Sequence, residues 1–133
     1  MPAEEPAEEP AEEPVDVLIV DAANVVGSVP DGWWRDRRGA AERLRDGLAR
    51  RGAGEEIVLV VEGAARGVES VPGVRVDAAT GSGDDRIVEL VAHYAERGAG
   101  AGLVVVTADR ELRARVRAYG ARCAGPRTVH PAG

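Results

Sequence analysis

Val15-Asp16-Val17-Leu18-Ile19-Val20-Asp21 is a short apolar run that stops on a carboxylate, and three later runs share its character: Ile57 to Val61, Val74 to Val76 and Leu103 to Val106. Each is brief and rich in β-branched residues, the pattern of strands buried on both faces of a parallel sheet. Helical spacing fills the intervals. Ile87, Leu90, Val91, Tyr94 and Ala95 form one stripe, and Leu112, Val116 and Tyr119 form a second. From about residue 36 to 51, Ala40, Ala41, Leu44 and Leu48 share a side while Arg43, Asp46 and Arg50 fall elsewhere, with Gly52 as a stop signal. The order β-α-β-β-α-β-α predicts an α/β fold, a three-layer α/β/α sandwich with a mainly parallel central sheet. Ala121 to Val129 offers a further edge strand, weakened by Pro126 and Pro131, whose pairing the sequence leaves open.

The 133 residues suffice for one domain with an ordinary core. Residues 1–14 contain PAEEPAEEPAEEP, a Pro/Ala/Glu repeat with almost nothing apolar to bury, and are expected to be a disordered tail. The folded domain is then expected over 15–127, followed by a mobile C-terminus at 128–133. Of the 23 acids six lie in the tail, and the other 17 balance the 17 bases, so any anionic partner must be held by a local patch. Every base is arginine and no lysine occurs, which closes the P-loop and receiver-domain classes, since both need one. A single cysteine, Cys123, rules out an internal disulfide and thiolate metal clusters. The acidic start and the lack of a long apolar run predict neither a signal peptide nor a membrane span, and a cytoplasmic location.

The acids fall at strand ends. Asp21 closes the first run, Glu62 the second, and Asp109 follows the fourth by three residues; Asp84 and Asp85 open the long helix after Gly81-Ser82-Gly83. In open α/β sheets the ligand crevice lies at those carboxyl ends, so all five can converge. Carboxylates gathered in one crevice repel one another unless a cation neutralises them, and Mg2+ or Mn2+ suits oxygen donors. Asn24, one turn past Asp21, is placed to orient substrate or a metal-bound water. Taken singly each acid has a plainer role: Ser82 and Asp85 resemble a capping box, Asp109 suits a helix N-terminus, and Glu62 suits an exposed loop. Their coincidence at successive strand ends is what makes them candidates together.

Three motifs in this order, Asp21-Ala22-Ala23-Asn24-Val25-Val26-Gly27, Gly83-Asp84-Asp85-Arg86-Ile87 and Thr107-Ala108-Asp109-Arg110-Glu111-Leu112, resemble the NYN domain, YacP-like branch, of the PIN-like nuclease superfamily. The similarity runs from about Val15 to Pro126. It implies a PIN-like, Rossmann-like sandwich, a Mg2+ or Mn2+ site, and cleavage of single-stranded RNA by a metal-activated water. Asp21, Asp84 or Asp85, and Asp109 would be metal ligands, with Glu62 in an acidic position after the second strand. Asn24 would orient the site and Thr107 support the third motif. Many relatives carry Gly and an aromatic residue where this chain has Ala22 and Ala23.

Single-stranded RNA is therefore the expected partner, with a ribosome or other ribonucleoprotein as a candidate carrier. Trp33, Trp34, Arg35, Arg37 and Arg38 interleave stacking surfaces with cations just after the first motif. One tryptophan anchoring the loop and one left free would account for the pair equally well. Arg86 and Arg110, each beside a proposed ligand, are candidates for phosphate, and Arg110, Arg113 and Arg117 share a helix face. His93 and His130 carry no catalytic expectation. A haloacid-dehalogenase-type phosphatase needs a second Asp where Ala23 stands, and the Gly98 to Gly102 run precedes a strand, against dinucleotide binding. Three rivals stay open: a non-catalytic RNA-binding module, a metal-dependent nucleotide phosphohydrolase, and an adaptor working through the Glu-rich tail.

Overall fold

The computed structural model describes residues 14–51, 54–99 and 102–129. The expected tail, apart from Pro14, and the Gly52 stop signal lie outside the described residues. β1 (Val17–Asp21), β2 (Glu56–Val61), β3 (Arg75–Ala78), β4 (Leu103–Val106) and β5 (Arg122–Ala124) form one sheet in the order β3-β2-β1-β4-β5, with every pair parallel. β1 is central, aligning Val17 with Glu56 on one side and with Leu103 on the other. Its neighbours supply all its ladder bonds, and it is buried along its whole length.

Side-chain alternation divides the core in two. Leu18 and Val20 point into a cluster with Ala41, Leu44 and Leu48, on the face covered by α1 (Ala22–Gly27) and α2 (Arg37–Ala49). Val17 and Ile19 point the other way, to Ile87, Leu90 and Val91 of α3 (Gly83–Glu96) and Leu112 and Val116 of α4 (Arg110–Arg117). Strands apolar on both faces and helices apolar on one stripe give the three layers the sequence predicts.

Three boundaries differ from the sequence reading. α1 begins immediately after Asp21, where no helical stripe is visible because a helix this short needs only Val25 and Val26 to anchor it. β3 starts one residue later than expected: Val74 instead pairs with Val71 in an isolated antiparallel bridge, and Arg75 aligns with Val58. β5 ends at Ala124, so Pro126 follows the strand and opens a helical turn instead of interrupting the ladder. The folded unit also runs past residue 127, because Val129 is buried in the first core cluster.

Helix starts are fixed by capping side chains. Asp36 accepts from Gly39 N–H at 2.9 Å, Ser82 from Asp85 N–H at 3.0 Å and Asp109 from Leu112 N–H at 3.0 Å. A Cβ at Gly39 would come within 2.2 Å of the Asp36 carboxylate, so a larger residue there would push the cap out of place.

The chain order reverses between β1 and β4, leaving a crevice outside their carboxyl ends. Ile87 is fully buried against that half of the sheet. Ile87→Ala is expected to lower unfolding free energy by about 2–5 kcal/mol in urea denaturation; a change under about 0.5 kcal/mol, the size of a surface substitution, would mean α3 is not docked as described.

Candidate active site

Asp21 stands at the switch point and is only 6% exposed. Its Oδ2 accepts from the Thr107 hydroxyl at 2.9 Å, and its Oδ1 from Asn24 N–H at 3.4 Å. Burial pushes its carboxyl up to about 6; the Thr107 and Asn24 bonds oppose that rise, and the charges of Asp84 and Glu62 add to it. Thr107, fully buried just past β4, also accepts from Asp109 N–H at 3.1 Å through the same hydroxyl oxygen. One threonine therefore couples the ends of β1 and β4.

Around this centre the acids separate into two groups. Asp84 lies close enough to Asp21, Glu62 and Asp109 for their charges to interact, and its carboxyl is raised, first by burial and then by Asp109 and Glu62. It makes no hydrogen bond among the described residues. Asp109 commits Oδ1 to its cap, leaving its second oxygen unengaged. Glu62 accepts from Gly83 N–H, tying the end of β2 to the start of α3. A Cβ at Gly83 would sit 2.6 Å from that carboxylate, so a larger residue there would displace the Glu62 side chain from this bond. Asp85 belongs elsewhere: largely exposed, it pairs with Arg115 of α4 at 3.1 Å. The sequence left Asp84 and Asp85 equivalent, and the first turn of α3 turns Asp84 toward the crevice.

Asn24 does not present its carbonyl to the crevice. Its Oδ1 accepts from Ala108 N–H at 2.8 Å, which clamps α1 to the loop after β4. Arg86 departs further from expectation. Its guanidinium binds Asp77 of β3 through two bonds of 2.8 and 2.9 Å and Glu89 at 3.1 Å, and this pairing raises its own pKa and lowers that of Asp77. A guanidinium so engaged is not available for phosphate. Arg113, expected on an open helix face, donates to the Thr107 carbonyl at 2.8 Å. Arg110 is exposed beside Asp109 and has no ion pair among the described residues.

The tryptophans take different environments, as adjacent residues on a short helical turn must. Trp33 is half-buried against the first core cluster, whereas Trp34 is 50% exposed and meets it edge-on, with ring centroids 5.9 Å apart. Arg37 lies over Trp33 at 5.4 Å and Arg35 over Trp34 at 5.8 Å. Arg38 pairs with Glu42 at 3.4 Å on the surface of α2. The sequence reading missed a pocket of about 360 Å³ walled by Ala22, Ala23, Val26, Trp33 and Ala65 and edged by Arg37 and Glu62. Small residues following Asp21 were its only visible signal.

Among the described residues no three His, Cys, Asp or Glu side chains are drawn together as a ready-made metal cage. The donor set nonetheless fits a hydrated hard cation, which needs only one or two direct carboxylates and keeps several waters: Asp84 is unengaged and Asp109 has an oxygen to spare. Without a cation, a carboxyl whose folded pKa is raised favours folding below its unfolded value of 3.8, and this contribution is lost as pH rises through about 6. In EDTA, raising the pH from about 3.5 to 7 is expected to cost the native chain on the order of 3 kcal/mol relative to Asp21→Asn. Parallel stability-versus-pH curves in chemical denaturation would contradict this.

No protein-family model matches the chain, and no curated protein does either. Among solved structures, Rae1 (YacP) from Bacillus subtilis superposes with a TM-score of 0.69 at 21% identity, covering 85% of this chain and 70% of that one. Its W164L mutant gives 0.65 at 21% identity over 84% and 70% of the two chains. This chain thus shares the fold of Rae1 (YacP).

Proposed function

We propose that this chain is a metal-dependent endoribonuclease that cleaves single-stranded RNA, with Mg2+ or Mn2+ bound at Asp21, Asp84 and Asp109. The observation that supports it most is the placing of Asp84 within electrostatic reach of Asp21 at the end of β1, Glu62 just after β2 and Asp109 at the start of α4, beside the switch point. Arg115 offsets part of the repulsion at Asp84, yet the Asp84 and Asp21 carboxyls stay raised, and such a cluster is costly for a fold to keep without further positive charge. The shared fold with Rae1 (YacP) adds support, since the three motifs resemble that same branch.

When bound, the cation would supply positive charge beside the phosphodiester and acidify a water for attack on phosphorus. The chain's own groups do the positioning. Thr107 holds the Asp21 carboxylate in a fixed rotamer and Asp109 by its backbone, so two proposed ligands move as one unit. Asn24 secures the loop between them through Ala108. Arg110, exposed next to Asp109, meets a substrate phosphate, and Trp34 with Arg35 offers a stacking face for an unpaired base. Glu62, held by Gly83, remains at the margin of the ligand set. RNA carried by a ribosome or other ribonucleoprotein in the cytoplasm fits this reading; among the described residues no helix is long and apolar enough to cross a membrane.

A non-catalytic RNA-binding module is the second reading, favoured by the lack of a ready-made cage among the described residues. Labelled single-stranded RNA incubated in Mn2+, Mg2+ or EDTA separates the two. Cutting is expected only with metal, and Asp21→Asn, Asp84→Asn and Asp109→Asn each reduce it roughly 100-fold or more, while Asp85→Asn stays within about threefold because Asp85 faces Arg115. RNA bound but uncut in either metal would replace this reading with the binding module. Hydrolysis of free nucleoside triphosphates in preference to RNA would point to a nucleotide phosphohydrolase.

A further inference from the structure

Apart from Glu62, at the margin of the proposed ligand set, the residues of the pocket beside the acid cluster have no role in the proposed metal site. Its walls are small apolar side chains, Ala22, Ala23 and Ala65, facing the half-buried ring of Trp33. Its volume of about 360 Å³ falls within the range of small-molecule sites. Trp33 is a rigid wall: its ring packs against the core cluster on one side and near Gly27 on another. Glu62 belongs to both neighbourhoods, lining the pocket while its charge reaches Asp21 and Asp84. A pocket walled by alanines and one indole ring, with a carboxylate and a guanidinium in its lining and Glu62 shared with the acid cluster, suits a nucleobase, which stacks on aromatic rings while its polar edge is read by a few groups.

We propose that this pocket takes one base of the RNA next to the cleaved phosphodiester, and that its edge groups select guanine. The inference rests on the nuclease reading for the position of the phosphodiester. Selection follows from hydrogen-bond chemistry. Glu62 spends Oε1 on Gly83 N–H, and its other oxygen accepts from the N1–H and N2–H of guanine. Arg37, which lines the same pocket with its guanidinium 5.4 Å from the centre of the Trp33 ring, is the cation that would donate to the O6 and N7 acceptors, turning from the ring as the base takes its place. Adenine offers an amino donor where Arg37 requires an acceptor and has no N1–H for Glu62. Pyrimidines present less surface for stacking on Trp33. The exposed Trp34 stacks a neighbouring base without reading its edge, since only its ring is available.

Tryptophan fluorescence titrated in EDTA with guanosine, adenosine, cytidine and uridine tests the pocket apart from any metal and from phosphate repulsion by the acids. Guanosine is expected to quench saturably and to bind at least about tenfold more tightly than the other three, the scale of a bidentate base contact. Ala23→Phe, which fills the pocket from an exposed wall, and Glu62→Gln, which keeps an acceptor for Gly83 but replaces the free oxygen with an amino donor, are each expected to remove that preference. Both are checked for native circular dichroism. Equal affinities for the four nucleosides, absence of saturable quenching, or an unchanged preference in both variants would overturn the proposal. Cleavage sites mapped on RNA of mixed sequence in Mn2+ complete the test. Cuts adjacent to guanine support the pocket, and cuts without base preference overturn it while leaving the nuclease intact. Guanosine binding abolished by Ala23→Phe, with no RNA cut in any metal, would instead sink the nuclease reading and keep the pocket.

Discussion

The site depends on a single buried contact, the hydroxyl of Thr107 on the carboxylate of Asp21 at 2.9 Å. It joins the last residue of β1 to the first residue past β4 across the line where the strand order reverses. A carboxylate in that position would ordinarily be expelled to water, because removing its hydration costs more than one neutral hydrogen bond returns. It is kept at the end of a strand buried on both faces, where neither backbone nor side chain can swing outward without disrupting the central ladder. Burial raises the pKa of Asp21 for that reason, against the lowering effect of its bonds to Thr107 and Asn24.

The same side chains serve two purposes, which makes the plain and the chemical readings of these acids compatible. Asp21 caps α1 and Asp109 caps α4, so each fixes the start of a helix and thereby its own rotamer. A cap uses one carboxylate oxygen. In Asp109 the second is left for a cation, and in Asp84, which Ser82 relieves of any capping duty, both are. Pre-organisation of this kind lets a hydrated ion be held by few direct bonds.

The centre of the sheet was legible because β1, β2 and β4 are nearly unbroken runs of Val, Leu and Ile, and the α3 stripe because its apolar spacing is regular over several turns; the edge strands β3 and β5, Arg-Val-Asp-Ala and Arg-Cys-Ala, carry a weaker signal. The gathering of Asp21, Asp84 and Asp109 was legible because strand ends and helix starts lie on one edge in such folds. What failed depended on partners distant along the chain or on side-chain direction. Arg86 looked available until β3 brought Asp77 against it, and Asn24 looked like a catalytic amide until the loop after β4 presented Ala108 N–H. α1 carries too few apolar residues to show a period. The Trp33 pocket arises from alanines on three separate elements, which no local window of sequence brings together.

If the acids at the switch point hold a divalent cation, the chain binds one without any substrate present. Titrating the protein into Mn2+ at neutral pH, with free Mn2+ read by electron paramagnetic resonance, addresses it without reference to any substrate. Saturable loss of the free-ion signal is expected with the native chain and little or none with Asp21→Asn of equal fold. Absence of binding, or equal binding by native and Asp21→Asn protein, would contradict it and leave Asp21 and Asp109 as helix caps alone.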